Sequence, residues 1–145
     1  SVGVWWLGQS SLVLKAGSTV VYVDPYLADD PRRLSPPAMA PQDATNADVV
    51  LLTHDHRDHV DPAALPGLAA ASPRARFAAP APIAARVADL VGSAARVVPA
   101  AVGSEIRLGD IGIEAIAAKH ETFDEGPDGF PHVGYLIRLG GVTVY

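Results

Sequence analysis

Short apolar stretches, broken by glycine, aspartate and proline, set the rhythm of this chain. Residues 2–7, 11–15 and 19–23 are rich in β-branched and aromatic side chains and are punctuated by Gly8 and Gly17. That pattern predicts three short strands in an antiparallel meander. Asp24-Pro25-Tyr26 ends the third. A proline-rich stretch from Ala28 to about Asn46 follows, containing Pro31, Pro36, Pro37 and Pro41. It is too long for a simple connector, and loops of that size are often functional. Residues 49–53, Val-Val-Leu-Leu-Thr, then predict a buried strand.

Asp61-Pro62 reads as an N-cap followed by proline at the first helical position. It opens a helix to about residue 71. Pro66-Gly67 should kink or shorten that helix. A strand over 74–78, a helix over 82–91 ended by Gly92 and a short strand over 96–98 come next. The remainder turns to β, with strands over 105–108, 111–118, 133–139 and 142–145. Gly109-Asp110 and Gly140-Gly141 are the hairpin signals among them. No repeat of solenoid period is present. Strands, then strand–helix units, then strands again predict an α/β (α+β) domain: a mixed sheet with helices on one face.

Composition narrows the function classes. The 145 residues suffice for one compact domain, and 49% apolar against 19% charged residues mark it as globular. The net charge of -5 and the lack of a basic stripe argue against a partner that is nucleic acid. Cysteine is absent, which excludes disulfides, thiolate metal sites and cysteine nucleophiles. No apolar run approaches the roughly 18 residues a membrane helix needs. No basic segment with an apolar signal core opens the chain. The expectation is therefore a cytoplasmic protein without a membrane partner.

The chemistry concentrates in Thr53-His54-Asp55-His56-Arg57-Asp58-His59, directly after the apolar strand. Neutral imidazole and carboxylate are donors for borderline and hard divalent ions. His54 and His56, at i and i+2, point the same way if the backbone is extended there. Asp58 and His59 can then serve a second ion about 3.5–4 Å away, the spacing two-metal hydrolases use. The alternative is a solvated loop with chance histidines.

This His-x-His-x-Asp-His pattern, set between an apolar strand and an acidic-Pro helix start, resembles the metallo-β-lactamase fold superfamily. Trp6-Leu7-Gly8-Gln9-Ser10-Ser11, Asp24-Pro25-Tyr26, Ala118-Lys119-His120-Glu121 and Gly129-Phe130-Pro131-His132-Val133-Gly134-Tyr135 make it most similar to the L-ascorbate-6-phosphate lactonase-like branch. The resemblance spans essentially the whole chain and implies the αββα sandwich fold, with this chain supplying mainly the N-terminal mixed sheet. It further implies that His120 completes a three-histidine site with His54 and His56, while Asp58 and His59 bind a second ion. Zinc and manganese both suit such donors. Two ions in the complete protein would activate a shared water against a lactone or similar small ester, with a small-molecule substrate such as a sugar-lactone phosphate. Asp58 and His132 are the candidate catalytic residues. His132 reads equally as a substrate contact, a proton carrier or a structural histidine. Asp24 reads either as the residue that orients a metal-binding histidine or as a turn-forming Asp-Pro.

Other residues stay open. Asp55 alternates away from the two imidazoles, although a residue there could touch a bound hydroxide, and Arg57 either meets an anionic substrate or pairs with Asp61. Gln9 stands where many relatives carry histidine. Asp124, Glu125 and Asp128 read as solvating their loop. The family pattern continues with a bridging aspartate and a later histidine beyond residue 145. The expectation is thus that residues 1–145 are a metallo-β-lactamase-like domain truncated at its C-terminus, lacking the second half of the sandwich and inactive by itself or paired as a homo-oligomer. The competing functions are phosphodiester hydrolysis on the same fold and a metal-binding module without turnover.

Overall fold

The computed structural model describes residues 1–145. Strands β1 (Gly3–Gly8), β2 (Ser11–Ala16) and β3 (Thr19–Val23) form the expected antiparallel meander. Strands β4 (Val49–Leu51), β5 (Arg76–Pro80) and β6 (Val97–Ala100) add in parallel beyond β3, giving the order β1-β2-β3-β4-β5-β6. Helix α1 (Leu65–Ala71) joins β4 to β5, and α2 (Ala84–Val91) joins β5 to β6. Both helices bury their apolar residues in one core on one face of the sheet. Successive parallel strands joined by crossovers of one hand require that placement.

Strict alternation explains why the central strands read as continuous apolar runs. Val20 and Tyr22 of β3, Val50 of β4 and Phe77 and Ala79 of β5 face the helices. Val21, Val49, Leu51 and Ala78 face the other way, into a second core. Strands buried on both faces lose the polar half of their alternation. Phe77 is fully buried, and its burial stabilises the fold by about 2–3 kcal/mol.

That second core is closed by β7 (Glu105–Leu108), β8 (Ile111–Ala117), β9 (Val133–Leu139) and β10 (Val142–Val144), all antiparallel in the order β10-β9-β8-β7. Ile111, Ile113, Ala115, Val133, Tyr135, Ile137 and Leu139 face the first sheet. Arg138 on the outer face bonds to Glu114 at 2.8 Å. The mixed sheet with helices on one face is present as expected. The later strands do not extend it, however, and two packed sheets are contained in these residues. The reason is that β3, β4 and β5 carry apolar side chains on both faces, so the face away from the helices demands its own cover.

Helix boundaries shift for local reasons. The first helix starts at Leu65, after a turn over residues 62–64, so Pro66 lies in its first turn and shortens it without a kink. Asp61 still caps that turn: its Oδ1 accepts the Ala63 and Ala64 N–H groups at 3.0 and 3.1 Å. Pro82 sits in a 3-10 turn (Ala81–Ile83) ahead of α2, and Gly92 ends α2 at φ 71°. No helix is long and apolar enough to cross a membrane.

Candidate metal centre

The site gathers at one rim of the two sheets, where β3, β4 and β8 run out and β9 begins. Asp24 follows β3 directly and adopts φ 44°, a left-handed conformation that costs a non-glycine residue of order 1 kcal/mol. Ser11 holds that bend. Its hydroxyl donates to the Asp24 carbonyl at 2.7 Å and accepts the Tyr26 N–H at 2.8 Å. The Asp24 N–H donates to the Leu51 carbonyl at 2.9 Å. So bent, the buried carboxylate reaches across to the loop after β4. Oδ1 accepts the Thr53 N–H at 2.8 Å, and Oδ2 lies 2.6 Å from Thr53 Oγ1 and 2.7 Å from His59 Nδ1.

These contacts fix the proton positions. An ionised carboxylate only accepts, so the Thr53 hydroxyl donates to Asp24. Thr53 Oγ1 is then the acceptor for His54 Nδ1–H, 2.9 Å away. His59 likewise donates from Nδ1 to Asp24. Neutral His54 is thereby left with Nε2 unprotonated, as is His59 whenever its ring is neutral, the form in which imidazole binds a metal.

His54 Nε2 faces His56 Nδ1 at 3.1 Å, a spacing that a hydrogen bond or a shared cation accounts for. His54, His56 and His120 each offer a ligand atom, all within 4.8 Å of one another. His132 joins them, its ring stacked on His120 at 5.1 Å between centroids. Burial pushes His54 down to about 4, helped by His59 and His56. Burial also lowers His132, with His120 and His56 adding to it. Both therefore stay neutral at pH 7. Four imidazoles converging with two held neutral is a donor set that fits a divalent cation.

His59 behaves in the opposite way. Burial disfavours its charge, but the hydrogen bond to Asp24 and the charges of Asp24 and Asp58 outweigh burial and raise it. Its Nε2 lies 3.6 Å from Asp58 Oδ2, which also accepts the Gln9 amide at 3.0 Å. Burial opposes ionisation of Asp58; the Gln9 hydrogen bond, with the His59 and His54 charges, overcomes it and lowers the carboxyl. Gln9 sits at φ 52° in the tight β1–β2 turn, which aims its side chain at Asp58.

The structure thus brings His54, His56, Asp58, His59, His120 and His132 to one place. One expectation changes. Arg57 pairs with Asp30 at 3.7 Å, not with Asp61. Asp61 is fully buried and already saturated: besides its own helix turn, its Oδ2 accepts the Leu27 and Ala28 N–H groups at 3.2 and 2.9 Å. Asp55 turns outward to an ion pair with Arg86 on α2. Asp124, Glu125 and Asp128 are exposed in their loop.

Sequence reasoning missed Thr53 and Tyr135 as parts of the site. Thr53 looked like the end of a strand, and Tyr135 like one more core position of an alternating strand. The Tyr135 hydroxyl donates to the Leu52 carbonyl at 2.7 Å, and the Val133 N–H donates to the Thr53 carbonyl at 3.0 Å. Those two bonds tie the second sheet to the histidine loop. Both bonds close between residues about 80 positions apart in the chain, so no local pattern signals them.

Comparison with known proteins places this geometry. The profile of the family described as "Beta-lactamase superfamily domain" matches residues 3–145. A UPF0173 metal-dependent hydrolase from Saccharolobus solfataricus is 29% identical over 141 residues, covering 97% of this chain and 58% of its own length. The chain therefore spans a little over half the length of such relatives. Among solved structures, Igni18, a metallo hydrolase from Ignicoccus hospitalis, superposes with a TM-score of 0.67 at 22% identity, over 99% of this chain and 58% of that one. CmlA, a diiron β-hydroxylase from Streptomyces venezuelae, superposes with a TM-score of 0.66 at 18% identity, over 98% of this chain and 28% of that one. At those identities the two structures speak to the fold alone. With its profile matched almost end to end, the chain belongs to the β-lactamase superfamily domain family and has the metallo-β-lactamase fold.

Proposed function

We propose that this chain carries the divalent-metal centre of a hydrolase that opens a lactone or cleaves a similar small ester, in the manner of the L-ascorbate-6-phosphate lactonase-like branch. The observation that carries the reading is the convergence of the His54, His56 and His120 donor atoms within 4.8 Å, with Asp58 and His59 beside them. That the similar S. solfataricus protein bears the name metal-dependent hydrolase supports it. Zinc or manganese, as one ion or a pair, suits these donors.

When bound, such an ion supplies Lewis acidity and draws the pKa of a coordinated water toward neutrality. The chain's own residues do the rest. His54, His56 and His120 would hold the ion, and Asp24, through Thr53, keeps the His54 lone pair directed into the cluster. Asp58 and His59 would hold a second ion. Asp58, kept ionised and anchored by Gln9, is also a proton acceptor at the edge of the cluster. His132, kept neutral and stacked on His120, has a free ring nitrogen with which to accept a proton or contact substrate.

Metal content by mass spectrometry tests the centre on chain purified without chelator. Near-stoichiometric zinc or manganese in the parent, lost in His54→Ala and His120→Ala, is the expected result. A metal-free parent that also fails to take up added zinc or manganese overturns it. Activity is then read on simple lactones against bis-p-nitrophenyl phosphate. Turnover of the phosphodiester alone would replace the lactonase reading with a phosphodiesterase.

A further inference from the structure

A cleft of about 670 Å³ opens beside the histidine cluster, with His56 and Asp58 in its lining. Its walls come from the end of β1 and the β1–β2 turn, the loop after β3 and the histidine loop after β4, and they carry Trp6, Arg32, Arg33, Leu34 and Arg57. Three guanidinium groups on one small cleft demand an account of where their charge goes.

Two of them share a single carboxylate. Arg32 bonds to Asp30 through Nε and Nη2 at 2.9 and 2.8 Å, and Arg57 Nε lies 3.7 Å from the same group. Arg33 is different. Its Nη1 donates to the Tyr26 carbonyl at 3.2 Å and its Nε to the Ser35 carbonyl at 3.1 Å, and its guanidinium lies 4.5 Å over the Tyr26 ring. It makes no ion pair. Three neutral partners hold a half-buried cation in place without cancelling its charge. The carboxylate that lines the cleft, Asp58, is engaged by Gln9 and His59 on the metal side. A rigid guanidinium with unused charge is a receptor for carboxylate or phosphate.

Beside these cations the cleft has an exposed apolar surface made by Trp6 and Leu34. Trp6 is 71% exposed, and its indole N–H donates to the Gln9 carbonyl at 2.8 Å, which fixes the ring. Leu34 stands wholly exposed beside it. Of the neutral polar side chains in the lining, the Gln9 amide N–H serves Asp58 and the Tyr26 hydroxyl lies beside Asp30, which leaves Ser35, His56 and the Gln9 amide oxygen. A flat apolar body would cover the Trp6 ring and Leu34, a gain that a polyhydroxylated body of the same size does not match.

We infer that this cleft binds a small organic anion with an apolar body, its phosphate or carboxylate on Arg33 and Arg57 and its body on Trp6 and Leu34, which presents the rest of the molecule to His56 and Asp58. As a substrate class the inference rests on the hydrolase reading above; as a binding site it does not.

Its test therefore uses metal-free chain in chelator. Trp5 and Trp6 are the two tryptophans, so a Trp5→Phe background makes Trp6 fluorescence the reporter. Phenyl phosphate, benzoate, phenol and glucose 6-phosphate are titrated. Phenyl phosphate or benzoate should give a saturable change, and whichever binds tighter identifies the headgroup. Phenol and glucose 6-phosphate should bind at least about ten-fold more weakly, and Arg33→Gln should weaken the anion by about the same factor. His120→Ala should leave anion binding unchanged.

No saturable response, equal binding of phenol, or loss of binding in His120→Ala overturns the anion site. Equal binding of glucose 6-phosphate overturns its apolar half. If Arg33→Gln melts early by circular dichroism, the exposed Arg57→Gln decides: weaker anion binding supports the site and unchanged binding overturns it. Metal is absent from every arm, so a failed metal assay leaves this result standing.

Discussion

The Asp24 carboxylate lies 2.7 Å from Nδ1 of His59, and the same oxygen takes the Thr53 hydroxyl at 2.6 Å. One buried acid thus sets the tautomer of two histidines, His59 directly and His54 through Thr53. Removing its charge should loosen both. Asp24→Asn tolerates the left-handed backbone, so the fold should persist while zinc or manganese affinity falls about 10–100-fold. Competition against a chromophoric chelator, with circular dichroism as the folding control, measures this. Unchanged affinity would show that Asp24 serves the turn alone.

Thr53 makes the relay separable from the acid. Thr53→Val keeps the shape but removes the hydroxyl, leaving His54 Nδ1–H without its acceptor at 2.9 Å. Thr53→Ser restores it. The valine variant should lose metal affinity by about ten-fold or more and some stability, about 1–3 kcal/mol. The serine variant should stay close to the parent in the same chelator assay.

Acidity should act on the metal-free chain with a definite sign. His54 is depressed to about 4 in the fold, against about 6.5 unfolded. The unfolded chain therefore takes up that proton first, and stability is lost as pH falls from about 6.5 towards 4. His132, also depressed, acts in the same direction. His59 is raised, so its contribution is present below the unfolded value and lost as pH rises through the folded one. Urea midpoints should fall on acidification across that window. Imidazole resonances should show His59 titrating well above His54. The reverse order would contradict the proton assignments.

Asp61 offers a stability test away from the chemistry. Its fully buried carboxylate accepts four backbone N–H groups, from Leu27, Ala28, Ala63 and Ala64. Asp61→Ala would strand those donors in the interior and should cost about 3 kcal/mol or more, read from urea unfolding. Asp61→Asn retains one acceptor oxygen and should cost less.

Much of this molecule is legible in its sequence. The meander of β1 to β3, the strand feeding the histidine cluster, the β9 limits and the glycine that ends α2 all follow from local alternation and turn chemistry. The motif from Thr53 to His59 named the metal chemistry, because its donors sit within one loop and their types are specific. The superfamily followed from the same residues in their context.

Other relationships belong to the tertiary structure alone. The division of ten strands into two sheets was decided by which face of β3, β4 and β5 still needed cover. Arg57 found Asp30 and Asp55 found Arg86, because backbone N–H groups had already claimed Asp61 and α2 lay beside the histidine loop. The unneutralised Arg33 became visible only when its loop folded onto Tyr26. The physical reason is common to all three. Local pattern determines which face of an element is apolar and which residues can donate or accept. Which partners meet is settled by how those faces close over one another, through contacts between residues far apart in the chain.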